Sequence, residues 1–197
     1  MKLSQADSYY DLYKAEIESA WVGREFPATA AGRFVPRRVM DSDTTSLDAA
    51  LRAIADRGYA FSVIALNALN PARRPSAAPI APNAVQPNLL SAYSSLILIP
   101  TWSNSFPWSR ALQIQDELIN EILPIFDAVV PDAGSYKNEG NWAERDIKQS
   151  FYGGTYERLE GIKREIDPSG FFYGITSVGF DQFEFDSDGR LCKVSKP

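Results

Sequence analysis

Proline is spaced in this chain so that one long stretch can be neither a continuous helix nor an inner strand. Pro71, Pro75, Pro79, Pro82 and Pro87 fall within residues 70–88, and Pro100 closes the apolar run that follows. Each proline fixes its own φ and removes a backbone donor, so regular hydrogen bonding cannot run through this stretch. The flanks are different. Tyr59 to Leu66 concentrates β-formers in Tyr-Ala-Phe-Ser-Val-Ile, and Leu89 to Pro100 is a second apolar strand candidate whose beginning is also compatible with a helix. The stretch between them reads either as a disordered linker or, preferably, as a loop over the edge of the region that the two strands build, because it joins two apparent core strands.

Helical periodicity organises much of the rest. Tyr9, Leu12, Tyr13 and Ile17 share one face and predict a helix from about Ser4 to Ser19, broken by Gly23 and Pro27. Leu47, Leu51 and Ile54 predict a second from about Ser46 to Asp56, with Thr45 and Asp48 approximating a capping box and Gly58 supplying the stop. A longer helix runs from Trp108 to Phe126, with Leu112, Ile114, Leu118, Ile122 and Phe126 on its buried side. Pro107 suits its first turn, where a missing donor costs little.

Past Val130-Pro131 the character changes. Ser135 to Glu139 reads as extended, Trp142 to Ser150 as a short helix, and Thr155 opens another after Gly153-Gly154. Tyr156, Leu159, Ile162 or Lys163, and Ile166 lie along one side of that helix, Asp167-Pro168-Ser169-Gly170 ends it, and Ser187-Asp188-Gly189-Arg190 reads as a turn. Alternating helix and strand signals with long excursions give an α+β fold, an antiparallel sheet backed by helices.

Composition narrows the chemistry. At 197 residues the chain can bury one substantial core, removing roughly 70% of the extended chain's surface from water. A formal charge of -5 gives no overall positive field for displacing phosphate counterions, and the pairs Arg37-Arg38 and Arg73-Arg74 read as solvated loop charge, so no nucleic-acid partner is expected. The absence of histidine excludes Ser–His–Asp and Cys–His nucleophile systems within the chain and removes the commonest zinc ligand. Cys192, the single cysteine, cannot form an internal disulfide. Asp181, Glu184, Asp186 and Asp188 do not match a calcium loop and read as an acidic hairpin or turn, so no metal is expected. The longest apolar run, Leu96 to Pro100, is far short of a bilayer span, and Met1-Lys2-Leu3 leads into polar residues rather than a signal segment. No membrane partner is expected, and the destination stays open, since secretion would require a signal further upstream.

Several uncommon blocks follow one another in the last third: Tyr136-Lys137-Asn138-Glu139, then Phe151-Tyr152-Gly153-Gly154-Thr155-Tyr156-Glu157-Arg158-Leu159, then Ile162-Lys163, then Asp167-Pro168-Ser169-Gly170-Phe171-Phe172. In this order they resemble the berberine-bridge-enzyme-like segment that closes many FAD-linked oxidases of the vanillyl-alcohol-oxidase type. Val178-Gly179 and Asp188-Gly189-Arg190-Leu191-Cys192 are similar to fungal members. Upstream, Arg33-Phe34-Val35-Pro36-Arg37 and Asn83-Ala84-Val85-Gln86-Pro87 resemble the same family's substrate-domain connections less specifically.

The resemblance implies a division at residue 131. Residues 1–131 would be a substrate-domain portion, and 132–197 a returning arm that packs on an FAD-binding domain missing from this chain. It implies FAD as cofactor, a small secondary metabolite as substrate, and a chain that is inactive and does not retain FAD alone. No Gly-rich phosphate-cradling motif follows a plausible first strand. The alternative is a non-catalytic binding or structural protein derived from the same scaffold.

The resemblance also carries the candidate cofactor contacts. Tyr136 and Asn138 match the family's Tyr-x-Asn element; on an extended segment they share one face, the phenol packing near the flavin and the amide pairing with a ring or ribityl oxygen. From the residues alone, they are a core tyrosine and a turn asparagine. Tyr152 either lines the same pocket or fills the joint between two helices. Thr155 stands where the family usually has asparagine, and its other role is an N-cap accepting an amide proton near Arg158. Arg158 and Lys163 read as helix-surface residues or carboxylate partners, Asp167 as a helix-ending turn residue, and Phe171 and Phe172 as core anchors. Tyr10, Tyr59 and Tyr93 are candidate substrate-side phenols, with no catalytic base selected among them.

Overall fold

The computed structural model describes residues 5–18, 27–66 and 83–194. Gly23, Arg73-Arg74 and most of the proline-rich connection lie outside the described residues, as do both predicted ends of the first helix. The main sheet has three strands, β1 (Ala31–Pro36), β2 (Phe61–Ala65) and β3 (Ala92–Leu98). Its order is β1-β3-β2, and both pairings are antiparallel.

β3 is central and almost wholly buried, whereas every residue of β2 is exposed. The sequence expectation of two core strands is therefore corrected: the β-formers of the first make an edge. The other edge, β1, is covered by the arm, where the Phe34 N–H donates to the Gly134 carbonyl at 3.0 Å. Registered partners share a face, so Ala31, Val35, Leu96 and Leu98 point together into the main core, where Leu118, Ile122, Leu123 and Phe126 meet them.

Two helices connect β1 to β2: α1 lies earlier at Tyr9–Leu12, and α2 (Arg37–Ser42) and α3 (Thr44–Asp56) follow the strand. α1 begins later than its periodicity predicts because Ser8 caps it, its Oγ accepting the Asp11 N–H at 3.1 Å. It passes into wide π turns over Tyr13–Glu18, and its α-helical part buries no residue. α3 is capped by Asp43, which accepts the Ser46 N–H at 3.2 Å, in place of the predicted Thr45. Its far end closes as expected at Gly58, with φ +83.

α4 (Asn88–Ser91) runs directly into β3, which resolves the ambiguity between helix and strand at Leu89. The long helix is real but not uniform. α5 (Trp108–Glu117) widens into π turns over Leu118–Ile122 before α6 (Leu123–Asp127). Pro124 is the cause we assign: it has no N–H for the Asn120 carbonyl and its ring needs space there. Arg145 approaches that carbonyl at 3.5 Å and bonds the Asn120 side-chain oxygen at 3.0 Å. Leu112, assigned to the buried side by its spacing, is instead exposed.

The arm contains α7 (Ile147–Tyr152), α8 (Tyr156–Ile166) and a hairpin of β4 (Phe183–Phe185) and β5 (Leu191–Lys193). α7 starts five residues later than predicted because Asp146 caps it, accepting the Gln149 N–H at 2.9 Å. Phe151, Tyr152 and Tyr156 form a second small core with Ile147, Leu159 and Val178.

Phe171 and Phe172 are not the core anchors that hydrophobicity suggests; they are 82% and 73% exposed. The turn after α8 explains their position. The Asp167 carboxylate accepts both of their amide protons, at 2.9 and 3.0 Å, while Lys163 pairs with Asp167 and donates to the Phe172 carbonyl at 2.6 Å. The two rings meet edge to face in solvent, 5.2 Å apart. The hydrogen bond from Lys163 and the Phe172 and Phe171 amides hold Asp167 down to about 2, against partial burial. A carboxyl depressed in the folded state stabilises the fold above its unfolded pKa, and that stabilisation disappears as pH falls through the folded value. Thermal melting should therefore lose an acid-dependent component between about pH 4 and 2, and Asp167→Asn should abolish that component while lowering the melting temperature at neutral pH.

Candidate functional site

The segment leaving the main core is steered by backbone geometry that few residues accept. Asp132 has φ +58 and Gly134 φ +73. Asn88 donates to the Asp132 carbonyl at 2.5 Å, and the Ser135 N–H donates to the Ser150 carbonyl at 2.7 Å. Gln86 is buried against this crossing: a Cβ added at Gly134 would lie 1.9 Å from its Nε2, and its own Oε1 accepts the Asn88 N–H at 2.5 Å.

Beyond this crossing the chain makes one tight 3-10 turn over Lys137–Glu139, not the extended run predicted. Tyr136 and Asn138 are still brought together, by the turn rather than by a strand face. The Asn138 amide donates to the Tyr136 hydroxyl at 2.8 Å, and both residues are exposed. Glu139 accepts a long hydrogen bond of 3.4 Å from Ser95 of β3. Ser95 pairs with Ile64 and Phe34 and so lies on the sheet face opposite the Leu96–Leu98 core. The turn thus leans over that second face, where Ile64 and Tyr93 are open to solvent.

Tyr152 and Thr155 point inward. The Tyr152 hydroxyl accepts from Lys137 Nζ at 2.9 Å and donates to the Thr176 carbonyl at 2.7 Å, and the Lys137 ammonium also stands 5.4 Å from the Tyr152 ring centre. Thr155 does not cap α8; its hydroxyl donates back to the Tyr152 carbonyl at 2.7 Å. The four candidate cofactor residues therefore divide into a surface pair and a supporting pair whose hydroxyls are engaged within the arm.

Sequence reasoning missed the groups that fix the arm to the sheet. Arg33 of β1 bonds Glu144 at 2.7 and 3.1 Å and Asp127 at 2.7 and 3.2 Å, with its own side chain and that of Glu144 buried. Burial works against the Arg33 charge, but the hydrogen bonds and charges of Glu144 and Asp127 outweigh it and raise its pKa. Asn141 donates to the Ala30 carbonyl at 2.8 Å, exchanges amide hydrogen bonds with Gln115, and accepts the Ala143 N–H at 2.8 Å. An arginine within an otherwise apolar strand was the one local signal; its partner lies 111 residues away.

The three candidate phenols occupy different environments. Tyr59 is buried beside a cleft of about 270 Å³ lined by Arg57, Thr101, Arg110 and Glu117. Burial, reinforced by Glu117, pushes its phenol up, so it stays protonated and is a poor base. The Arg37 guanidinium lies 5.4 Å from the Tyr93 ring centre, and Lys14 lies at the same distance from that of Tyr10. Among the described residues no cluster of three or more metal-ligating side chains forms, and no helix is long and apolar enough to cross a membrane.

This geometry has a class. Residues 135–179, which hold the turn, the supporting pair and the Asp167 loop, match the family described as berberine and berberine like. The chain has the α+β fold of about a third of a vanillyl-alcohol-oxidase-type flavoprotein, and residues 135–179 are its berberine-like segment.

The individual matches agree. The chain is 32% identical over 98% of its length to the FAD-linked oxidoreductase patO of Aspergillus clavatus, of which it covers 33%. It is 30% identical over 95% of its length to the VAO-type flavoprotein oxidase VAO615 of Thermothelomyces thermophilus, of which it covers 32%. The crystal structure of the VAO-type flavoprotein MtVAO615 from Myceliophthora thermophila C1 superposes with a TM-score of 0.75 at 22% identity, over 94% of this chain and 34% of that one. That of MtVAO713 from the same organism gives 0.71 at 20% identity, over 94% and 32%. The chain thus spans about a third of the length of the curated relatives it matches.

Proposed function

We propose that this chain is the substrate-side portion of an FAD-dependent oxidoreductase acting on a small metabolite. Residues 1–131 form the substrate side and 132–197 the arm that returns to an FAD-binding region supplied by further polypeptide. The observation that carries this reading is the exposed Tyr136–Asn138 pair, a phenol and an amide presented together beside an open sheet face. That donor set suits the carbonyl and hydroxyl groups of a flavin ring and its ribityl chain. Bound FAD would supply the hydride acceptor; the residues of this chain orient cofactor and substrate.

In this reading Tyr136 and Asn138 touch the flavin, while Tyr152 and Thr155 hold the turn from behind, Tyr152 through Lys137. Phe171 and Phe172 give the arm an apolar contact with the FAD-binding region. Ile64 and Tyr93 line the substrate face. Burial beside Glu117 disfavours the Tyr59 phenolate, which argues against Tyr59 as the base that takes the substrate proton.

FAD is held mainly by the other polypeptide, so this chain expressed alone should purify colourless and catalytically inactive. Visible absorbance of the purified protein, with flavin released by denaturation, tests this directly. Stoichiometric flavin in the isolated chain would reject the division of labour; folded protein that neither binds flavin alone nor joins an FAD-binding region would favour a non-catalytic scaffold.

A further inference from the structure

Lys137 stands between Tyr136 and Asn138 in the 3-10 turn, and its side chain runs inward to Tyr152 while theirs meet at the surface. Holding the turn does not by itself need a cation, since any neutral N–H donor could bond the Tyr152 oxygen. What lysine adds is one positive charge in the middle of the turn.

That charge is fixed in place and is not cancelled. Lys148 pairs with Asp181 at 2.7 Å and Lys163 pairs with Asp167, whereas among the described residues no carboxylate pairs with Lys137. The Tyr152 hydroxyl spends its proton on the Thr176 carbonyl at 2.7 Å, so toward Lys137, at 2.9 Å, it can only accept. The Tyr152 ring is 8% exposed and meets Tyr156 edge to face, 5.5 Å between centres, so the anchor itself is held. The ammonium lies 5.4 Å from the Tyr152 ring centre, a contact that attracts a cation without neutralising it.

A hydride carries two electrons and one proton, and therefore delivers one unit of negative charge to its acceptor. A fixed cation nearby favours the acceptor that has received this charge over the one that has not. Resting on the reading that Tyr136 and Asn138 touch the flavin, we propose that Lys137 tunes it. The unpaired ammonium anchored on Tyr152 raises the reduction potential of bound FAD, through its field rather than by contact. The role belongs to the charge of residue 137 and not to the hydrogen bond it makes.

A polypeptide joining this chain to the FAD-binding region of a fungal relative carries the test, with the potential of its flavin read by reductive titration against a reference dye. Lys137→Gln keeps a donor and removes the charge. It should lower the ratio of reduced to oxidised flavin at a fixed dye poise by about tenfold, which is about 30 mV for a two-electron couple. One unit charge about 10 Å away, at an effective dielectric constant of about 20, has an effect of that size. Lys137→Arg keeps the charge and should stay near the parent. So should Lys193→Met, which removes an exposed charge from the hairpin of the same arm. Tyr136→Phe and Asn138→Ala in the same polypeptide separate this inference from the reading beneath it. If either alters the affinity or spectrum of the flavin while Lys137→Gln leaves the potential unchanged, the turn faces the flavin and the role of Lys137 alone is overturned. A loss in Lys137→Gln matched by Lys137→Arg would mean that Lys137 shapes the turn, and one matched by Lys193→Met that only net charge matters; both overturn the inference. A parent that holds no flavin, or no effect of Tyr136→Phe and Asn138→Ala, would remove the reading and the inference together.

Discussion

Arg33→Ala is expected to lower the free energy of unfolding by about 3–5 kcal/mol, the range for removing one partner of a buried ion pair. The guanidinium makes paired contacts with Glu144 and Asp127, and the side chains of Arg33 and Glu144 are 8% and 3% exposed. Truncation would leave the Glu144 carboxylate buried without its cation. Asp127, at 38% exposure, can turn to water and should contribute less. The loss is large against a total stability of about 5–15 kcal/mol for a domain.

The cause can be separated from the loss of packing. If the cost is the abandoned carboxylate, replacing both partners by apolar residues, Arg33→Met with Glu144→Leu, should recover much of it. Urea denaturation of the single and double variants decides between these explanations. A double variant as unstable as the single one would show that packing, rather than the orphaned charge, sets the effect.

Gly134→Ala should be nearly as damaging, at about 2–4 kcal/mol, combining left-handed backbone strain with overpacking. Gly134 has φ +73, and the added methyl would fall 1.9 Å from Gln86 Nε2 and 3.2 Å from the Ser150 carbonyl oxygen. Gln86 cannot withdraw freely, because its Oε1 holds the Asn88 amide. The Gly134 carbonyl also receives the Phe34 N–H, so the substitution strains the contact that joins the arm to β1. Faster hydrogen exchange at the Phe34 amide, with a lower unfolding midpoint, is the expected readout. This variant also tests whether the Tyr136 turn depends on the crossing beneath it.

What could be read from the sequence followed from how local each signal was. α3 and the Trp108–Phe126 helix were legible because their periodicity, Leu112 apart, is local, and Gly58 marks the end of α3. The berberine-like segment was legible from uncommon blocks in a fixed order. Edge and interior strands were not distinguished, since β-formers report a pleated surface without reporting what covers it. Phe171 and Phe172 were misread for a related reason: hydrophobicity argues for burial, but the Asp167 carboxylate and Lys163 hold their turn outward. The Arg33–Glu144 pair has no local signature at 111 residues' separation. For Tyr136 and Asn138, proximity was expected from an extended strand and arises instead from a 3-10 turn.

The decisive measurement for the functional account is the flavin content of a polypeptide joining this chain to the FAD-binding region of a fungal relative. Asn138→Ala and Tyr136→Phe should each fold with the parent's stability, because both side chains are exposed. Asn138→Ala should reduce flavin affinity by about fivefold to a hundredfold, corresponding to about 1–3 kcal/mol for hydrogen bonds to the cofactor left unmade, and Tyr136→Phe should shift the visible spectrum of the bound flavin. Unchanged flavin content, affinity and spectrum in both variants would contradict the placement of this turn against the cofactor.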